Sequence, residues 1–327
     1  MMDYFLCFFA FISTLIITIV IESKILPVLK RRARQPIYSE GPSWHLSKKG
    51  TPTMGGVAFV TATTFTLLLL SLVLLYKNGK NDKITSIIIT TLFALANSLV
   101  GLFDDITKLV RNKNAGLTPF QKLAMQFVIA IIFLMARRHF IGDMTYISLW
   151  FGKIDFGLLY YPMSLILILG IVNCANLTDG IDGLASSVAL TGGLVFLLLS
   201  SNINFDTQLI SLSLIGGTLG FLLFNRHPAK IFMGDTGSLF LGALASALAF
   251  SIGNPLVIVL VGMVYVIEGV SVILQVAYYK LTGKRLFTLA PLHHHLEKQS
   301  VSENSICLIM VIITLIASAL APFIFRW

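Results

Sequence analysis

ITSIIITTLFALANSLVGLFDD, residues 84–105, decides how this chain must be read. From Ile84 to Phe103 no side chain is charged, and then two aspartates stand side by side. About 20 apolar residues in a row form a helix long enough to cross the hydrocarbon core of a bilayer. Asp104 and Asp105 mark its end, because a carboxylate inside that core is costly.

Similar runs recur in both directions. They cover roughly 5–21, 54–76, 120–136, 158–172, 184–200, 209–224, 238–252, 255–278 and 305–325, which together with 84–103 predict about ten transmembrane helices. Composition agrees: 56% of the 327 residues are hydrophobic and 12% are charged, half the charge of a soluble domain, which is about 25%. Runs such as LVFLLLS (194–200) and SLILILGIV (164–172) do not alternate, which argues against a β-barrel. No internal repeat or low-complexity tail is present. The expected architecture is an all-α integral membrane protein, one polytopic domain over residues 1–327.

Charge orients it. Asp3 precedes the first run, while Lys24, Lys30, Arg31, Arg32 and Arg34 follow it, the reverse of a signal peptide. Loops after the odd-numbered spans hold about 17 of the 24 Lys and Arg, which by the positive-inside rule places them in the cytoplasm and both termini outside. The net charge of +9 is explained by this topology and by anionic headgroups, without nucleic acid. Cys7, Cys174 and Cys307 have no paired spacing.

Acidic residues are sparse, so their places are informative. Asp104, Asp105, Asp179, Asp182 and Asp235 all fall at cytoplasmic ends of predicted helices, so separate loops converge on one acidic face. In GLFDDITK (101–108) adjacent carboxylates repel, and Lys108, one turn after Asp104, is a partner for them. NCANLTDGIDG (173–183) offers Asn173, Asn176, Thr178, Asp179 and Asp182 between glycines, with Thr178 or Asp179 a possible N-cap for the next helix. Such a loop can hold a hard cation or a sugar. In GDTGS (234–238) Asp235 stands just before a helix expected near Ser238, whose N-terminal N–H groups favour phosphate. PLHHHLE (291–297) supplies His293, His294 and His295 as donors to phosphate or hydroxyl, one of them suited to proton transfer. KKGTPTMGG (48–56) adds Lys48, Lys49, Thr51 and Thr53. Glu268, mid-span, should face the protein interior, with Gly262 and Gly269 allowing a bend. Gly216 and Gly220 form a small helix-packing face, and 147–161 suits a short external hairpin.

DDITK, NCANLTDGIDG, the NxxPAKIFMGDTGS block (225–238) and PLHHHLE, in this order, resemble the polyprenyl-phosphate N-acetylhexosamine-1-phosphate transferases. PLHHHLE and KKGTPTMGG are similar to the bacterial branch that uses muramoyl-pentapeptide donors. The resemblance implies an inner-membrane enzyme that joins UDP-MurNAc-pentapeptide to undecaprenyl phosphate, giving lipid I and UMP in peptidoglycan synthesis. It also implies Mg²⁺, a homodimer and inhibition by nucleoside antibiotics such as tunicamycin.

Carried over motif by motif, the resemblance makes Asp235 the Mg²⁺ ligand. Asp104 and Asp105 are the pair near the lipid phosphate, with Asp104 the better base, and Asp179 joins the acidic centre. His293 counts among the catalytic groups. Asn173, Asn176 and Asn225 bond substrate or hold catalytic groups, and Asp182 with Phe232 resembles a uridine pocket. Lys48, Thr53, Lys108, Lys122, His294 and His295 line the nucleotide and phosphate path. The bent ninth span shapes a groove for the prenyl chain. Two other readings remain at this stage: a sister enzyme using UDP-GlcNAc, and a transporter, against which the one-sided charges argue.

Overall fold

The computed structural model describes residues 2–32, 48, 50–111, 116–200 and 204–326; Arg34 and Lys49 lie outside these. The helices are α1 (Met2–Arg32), α2 (Gly56–Asn78), α3 (Asp82–Arg111), α4 (Pro119–Phe140), α5 (Tyr160–Thr178), α6 (Leu184–Ser200), α7 (Phe205–Asn225), α8 (Gly234–Ser251), α9 (Val257–Val261), α10 (Met263–Thr282), α11 (Leu292–Lys298), α12 (Glu303–Ala319) and α13 (Ala321–Ile324). The only strands among the described residues are β1 (Tyr146–Leu149) and β2 (Gly152–Asp155), an antiparallel hairpin with Tyr146 opposite Asp155. It falls where the short hairpin is expected.

Every expected apolar run lies largely on helix. Among the described residues, eight helical segments are long and apolar enough to cross a bilayer by length and composition. Helix α6 has 17 residues and is shorter; α8 opens with the polar GDTGS. The expected ninth span breaks at Gly262, where α9 ends and α10 begins. The molecule is an all-α integral membrane protein.

Helix α8 is its axis. It is buried from Thr236 to Phe250 and packs against α3, α5, α2 and α6. Its sequence explains this: glycine, alanine and serine let neighbouring backbones approach closely, the usual basis of helix association in lipid. The closest approach is at Gly101 of α3, where a Cβ would collide with the Asp235 carbonyl, and Gly56 of α2 would likewise strike the Gly237 backbone. Gly216 and Gly220 of α7 meet the α1 backbone around Phe11 and Leu15. By contrast α1 turns Phe5, Phe8, Ile16 and Val20 outward, as a lipid-facing helix should.

Candidate active site

The tight α3–α8 contact places two acidic motifs side by side. Asp104 and Asp105 are inside α3, which continues to Arg111, rather than in a loop after it. Helix α8 begins at Gly234, four residues before the expected Ser238, so Asp235 belongs to its first turn. Exposed N–H groups there favour a carboxylate. One carboxylate oxygen from each of Asp104, Asp105 and Asp235 lies within 4.8 Å of the other two.

The three carboxylates are held differently. Asp105 accepts the N–H of Asp235 at 3.1 Å, the N–H of Thr236 at 2.9 Å and the Thr236 hydroxyl at 2.6 Å. It therefore caps α8 from another helix, satisfying donors that a helix start leaves free. Asp104 takes Lys108 Nζ at 2.5 Å, the i,i+4 partner expected, and the N–H of Leu117 at 2.7 Å. Asp235 takes Asn176 Nδ2 at 2.8 Å on one oxygen, and Lys122 Nζ at 2.9 Å and Lys108 Nζ at 3.1 Å on the other. Asn176 also accepts from Lys122 at 2.7 Å and donates to Ser238 at 2.8 Å. Thr53 and Asp105 both border Gly234.

Asp179 is not an N-cap of α6 but the C-cap of α5. Burial, then the charges of Asp235, Asp105 and Asp182, push its carboxyl well above the usual carboxylate range. Besides burial, positive charge is short here. Four carboxylates, Asp104, Asp105, Asp179 and Asp235, share two ammonium groups, Lys108 and Lys122. Fully ionised, the centre carries a double negative excess and presents only hard oxygen donors among its carboxylates, which suits Mg²⁺.

A second cluster lies around Lys48. Its Nζ is 2.7 Å from Asp182 Oδ1 and 2.7 Å from Glu303 Oε2. Asp182 Oδ2 also accepts the Ala229 N–H at 2.9 Å and meets His227 Nδ1 at 3.1 Å. Glu303 accepts the Asp182 N–H at 2.8 Å. Burial alone would lower the Lys48 pKa, but the bonds to Asp182 and Glu303 outweigh it and raise it. Phe232 joins this side through its backbone, donating to Pro52 O at 2.8 Å and accepting from Gly55 N at 2.9 Å, with its ring half-buried.

Other expected residues support rather than face the centre. Asn173 donates to Gln126 Oε1 at 2.7 Å and to Leu169 O at 2.8 Å. Asn225 is buried, accepting from Ser186 at 2.9 Å and donating to Ile231 O at 3.0 Å, so it shapes the 226–233 loop. The histidines diverge. His293 is fully buried, with Nδ1 3.2 Å from Glu268 and its ring pressed on Gly180, where a Cβ would collide with it. His294 pairs with Glu297 at 2.6 Å, and His295 Nδ1 meets the Thr288 hydroxyl at 2.8 Å. Glu268 does face the interior, and its partner is a histidine 25 residues away. Glu303, His227, Gln126 and Ser238 were not among the expected site residues. Glu303 reads in sequence as an ordinary acidic residue in a first helical turn, and no local pattern reveals its contact.

A helical membrane protein with an aspartate–lysine centre at one end has the form of a membrane-bound sugar-phosphate transferase. Residues 84–253 match the family described as glycosyl transferase family 4. Residues 48–60 match the phospho-N-acetylmuramoyl-pentapeptide-transferase signature 1. Proteins of that name are similar over nearly the whole chain. The one from Clostridium perfringens (strain 13 / Type A) is 38% identical over 309 residues, covering 94% of this chain and 95% of the relative. The one from Shouchella clausii is 39% identical over 331 residues, covering 100% and 99%. That from Caldicellulosiruptor bescii is 38% identical over 314 residues, covering 95% of each. The chain belongs to the phospho-N-acetylmuramoyl-pentapeptide-transferase family.

Proposed function

We propose that this transferase moves phospho-MurNAc-pentapeptide from UDP-MurNAc-pentapeptide to undecaprenyl phosphate, giving lipid I and UMP. One observation carries the reading: Asp104, Asp105 and Asp235 converge with Lys108, Lys122 and Asn176 at one end of the bundle. Two anionic substrates meeting at a membrane surface need such a centre, in which the lysines, and a cation held by the carboxylates, would offset the charge of the reacting phosphates.

An oxygen of the lipid phosphate attacks the phosphorus bonded to the sugar. The bond from that phosphorus to the UMP oxygen breaks, and UMP leaves with the electron pair. A phosphate monoester has a second pKa near 6, so at neutral pH the nucleophile is already largely ionised. The pairing of Asp104 with Lys108 and the Leu117 N–H supports a positioning role for it and direct displacement. Lys108 and Lys122 orient phosphate oxygens, and Asn176 holds the Asp235 carboxylate in place. Asp235 and Asp104, whose carboxylates converge, would hold Mg²⁺, which supplies charge compensation for the diphosphate when bound. Lys48, Asp182 and the neighbouring Phe232 loop form the nucleotide side.

The same reading takes the chain as one membrane domain of ten spans in the bacterial inner membrane. Its termini are outside, its centre faces the cytoplasm, and it works as a homodimer open to nucleoside antibiotics. UMP release by purified protein with UDP-MurNAc-pentapeptide and undecaprenyl phosphate tests it. Turnover with this donor supports the assignment. Turnover only with UDP-GlcNAc assigns the chain to the sister reaction and rejects ours.

A further inference from the structure

The opposite end of the bundle carries a second polar site. Arg137 lies 15 residues beyond Lys122 on α4, which at 1.5 Å per residue is roughly 22 Å along the helix. With Arg138, Asp143, Tyr160, Tyr161 and Phe250 it lines a half-open cavity of about 120 Å³. A water needs only about 30 Å³ of liquid volume, so the space holds several waters or a phosphate-sized group.

Its walls hold unspent hydrogen-bonding capacity. Arg137 Nη2 donates to the Phe250 carbonyl at 2.8 Å, yet Nη1 is buried without a partner. The guanidinium is fixed between the Phe133 and Phe250 rings, each 5.9 Å away. The hydroxyl of Tyr160, a residue only 4% exposed, is also buried with no bond of good geometry, although Ser164 is near. Two buried donors left open beside a cavity are expensive unless something polar fills it. Arg138 stands over Tyr161 at 5.3 Å and pairs with Asp143 at 3.1 Å, while Tyr161 donates to Asp143. That pair is half-exposed, so it is weak and easily exchanged. The other nearby charge, Asp206, is buried at the start of α7 and forms no ion pair with Arg137 among the described residues.

We propose that this cavity binds the phosphate of a membrane phospholipid, with Arg137 Nη1, the Tyr160 hydroxyl and Arg138 as its donors. Guanidinium groups match phosphate oxygens in geometry and charge. A lipid is favoured over free phosphate by what surrounds the opening. Met135 and Phe140 on α4, Leu159 just before α5 and Met163 on it lie within three residues of the lining and are exposed and apolar, offering two acyl chains a surface. Tyr160 and Tyr161 add the aromatic ring pair expected at headgroup depth. The site is separate from the acidic centre and does not depend on the reaction assigned to it.

The test uses the full chain, delipidated and then titrated with phosphatidylglycerol, with diacylglycerol or with inorganic phosphate, read by native mass spectrometry. Phosphatidylglycerol should bind and diacylglycerol should not. Arg137→Gln should weaken the lipid roughly tenfold or more, and Tyr160→Phe, which removes a single oxygen, several-fold. UMP release by both variants should stay at the wild-type level, since neither touches the acidic centre. Should Arg137→Gln fail to fold, Tyr160→Phe alone decides. Equal binding of phosphatidylglycerol and diacylglycerol overturns the proposal, as does wild-type affinity in the folded variants. Inorganic phosphate binding as tightly as the lipid assigns the cavity to a free anion and rejects the lipid. Binding by none of the three leaves a water-filled cavity and rejects both.

Discussion

The two charged clusters at the acidic end look alike in composition and differ in accounting. Around Lys48, one ammonium sits 2.7 Å from each of two carboxylates. It occupies the place a cation would take, and the cluster is balanced apart from one negative charge. Around Asp235, two lysines reach in while four carboxylates crowd together, and Asp179 is left with a raised pKa. The first arrangement holds a shape. The second retains a demand for positive charge, which a divalent ion would supply.

The strongest way to break this contrast is Asp235→Asn. It removes a charge that Lys108, Lys122 and Asn176 are all arranged around. UMP release should fall roughly a thousandfold, the scale of losing a preorganised electrostatic group; near-wild-type turnover would show that the centre is not where chemistry occurs. Removing divalent metal with EDTA should abolish turnover, and Mg²⁺ should restore it. The metal requirement, read as the Mg²⁺ concentration for half-maximal rate, should not change in Asp182→Asn, because the Lys48 cluster already contains its cation. Glu303→Gln should have a smaller effect, on binding rather than on the chemical step. Lys48 loses a charged partner, so the donor KM should rise about tenfold with kcat changed little. A fall in kcat at constant KM would contradict the split.

That last effect should be independent of pH near neutrality. The folded pKa of Lys48 is raised above its ordinary 10.5. Its ion pairs are therefore fully formed below 10.5 and are lost only as the pH climbs through the higher folded value. Smaller still is Asp105→Asn. It keeps an oxygen acceptor for α8 but loses the charge at the helix start, which should cost about 1 kcal/mol in stability, visible as a lower Tm.

Much of this was legible in the sequence because lipid makes the rules strict. Uncharged runs must be helices, and aspartates at their ends must share a face. Asp104 with Lys108 is a contact within one turn, so spacing finds it. What sequence hid were contacts between distant elements. Glu303 meets Asp182 across 121 residues and His293 meets Glu268 across 25. The role of Asp105 was equally hidden. Beside Asp104 it looks like half of a catalytic pair, and its oxygens also cap the first turn of another helix. Asn225 likewise carries a motif position yet is buried against Ser186 and Ile231.

The contact at Gly101 sets the manufacturing tolerance of the whole assembly. Where α3 meets the Asp235 carbonyl there is no side chain to rotate, trim or repack. The gap between the two acidic motifs is thus gauged by backbone against backbone, like two machined faces without a shim. Any side chain at 101 would act as a spacer between α3 and the start of α8, so this dimension can be lengthened by substitution but never shortened.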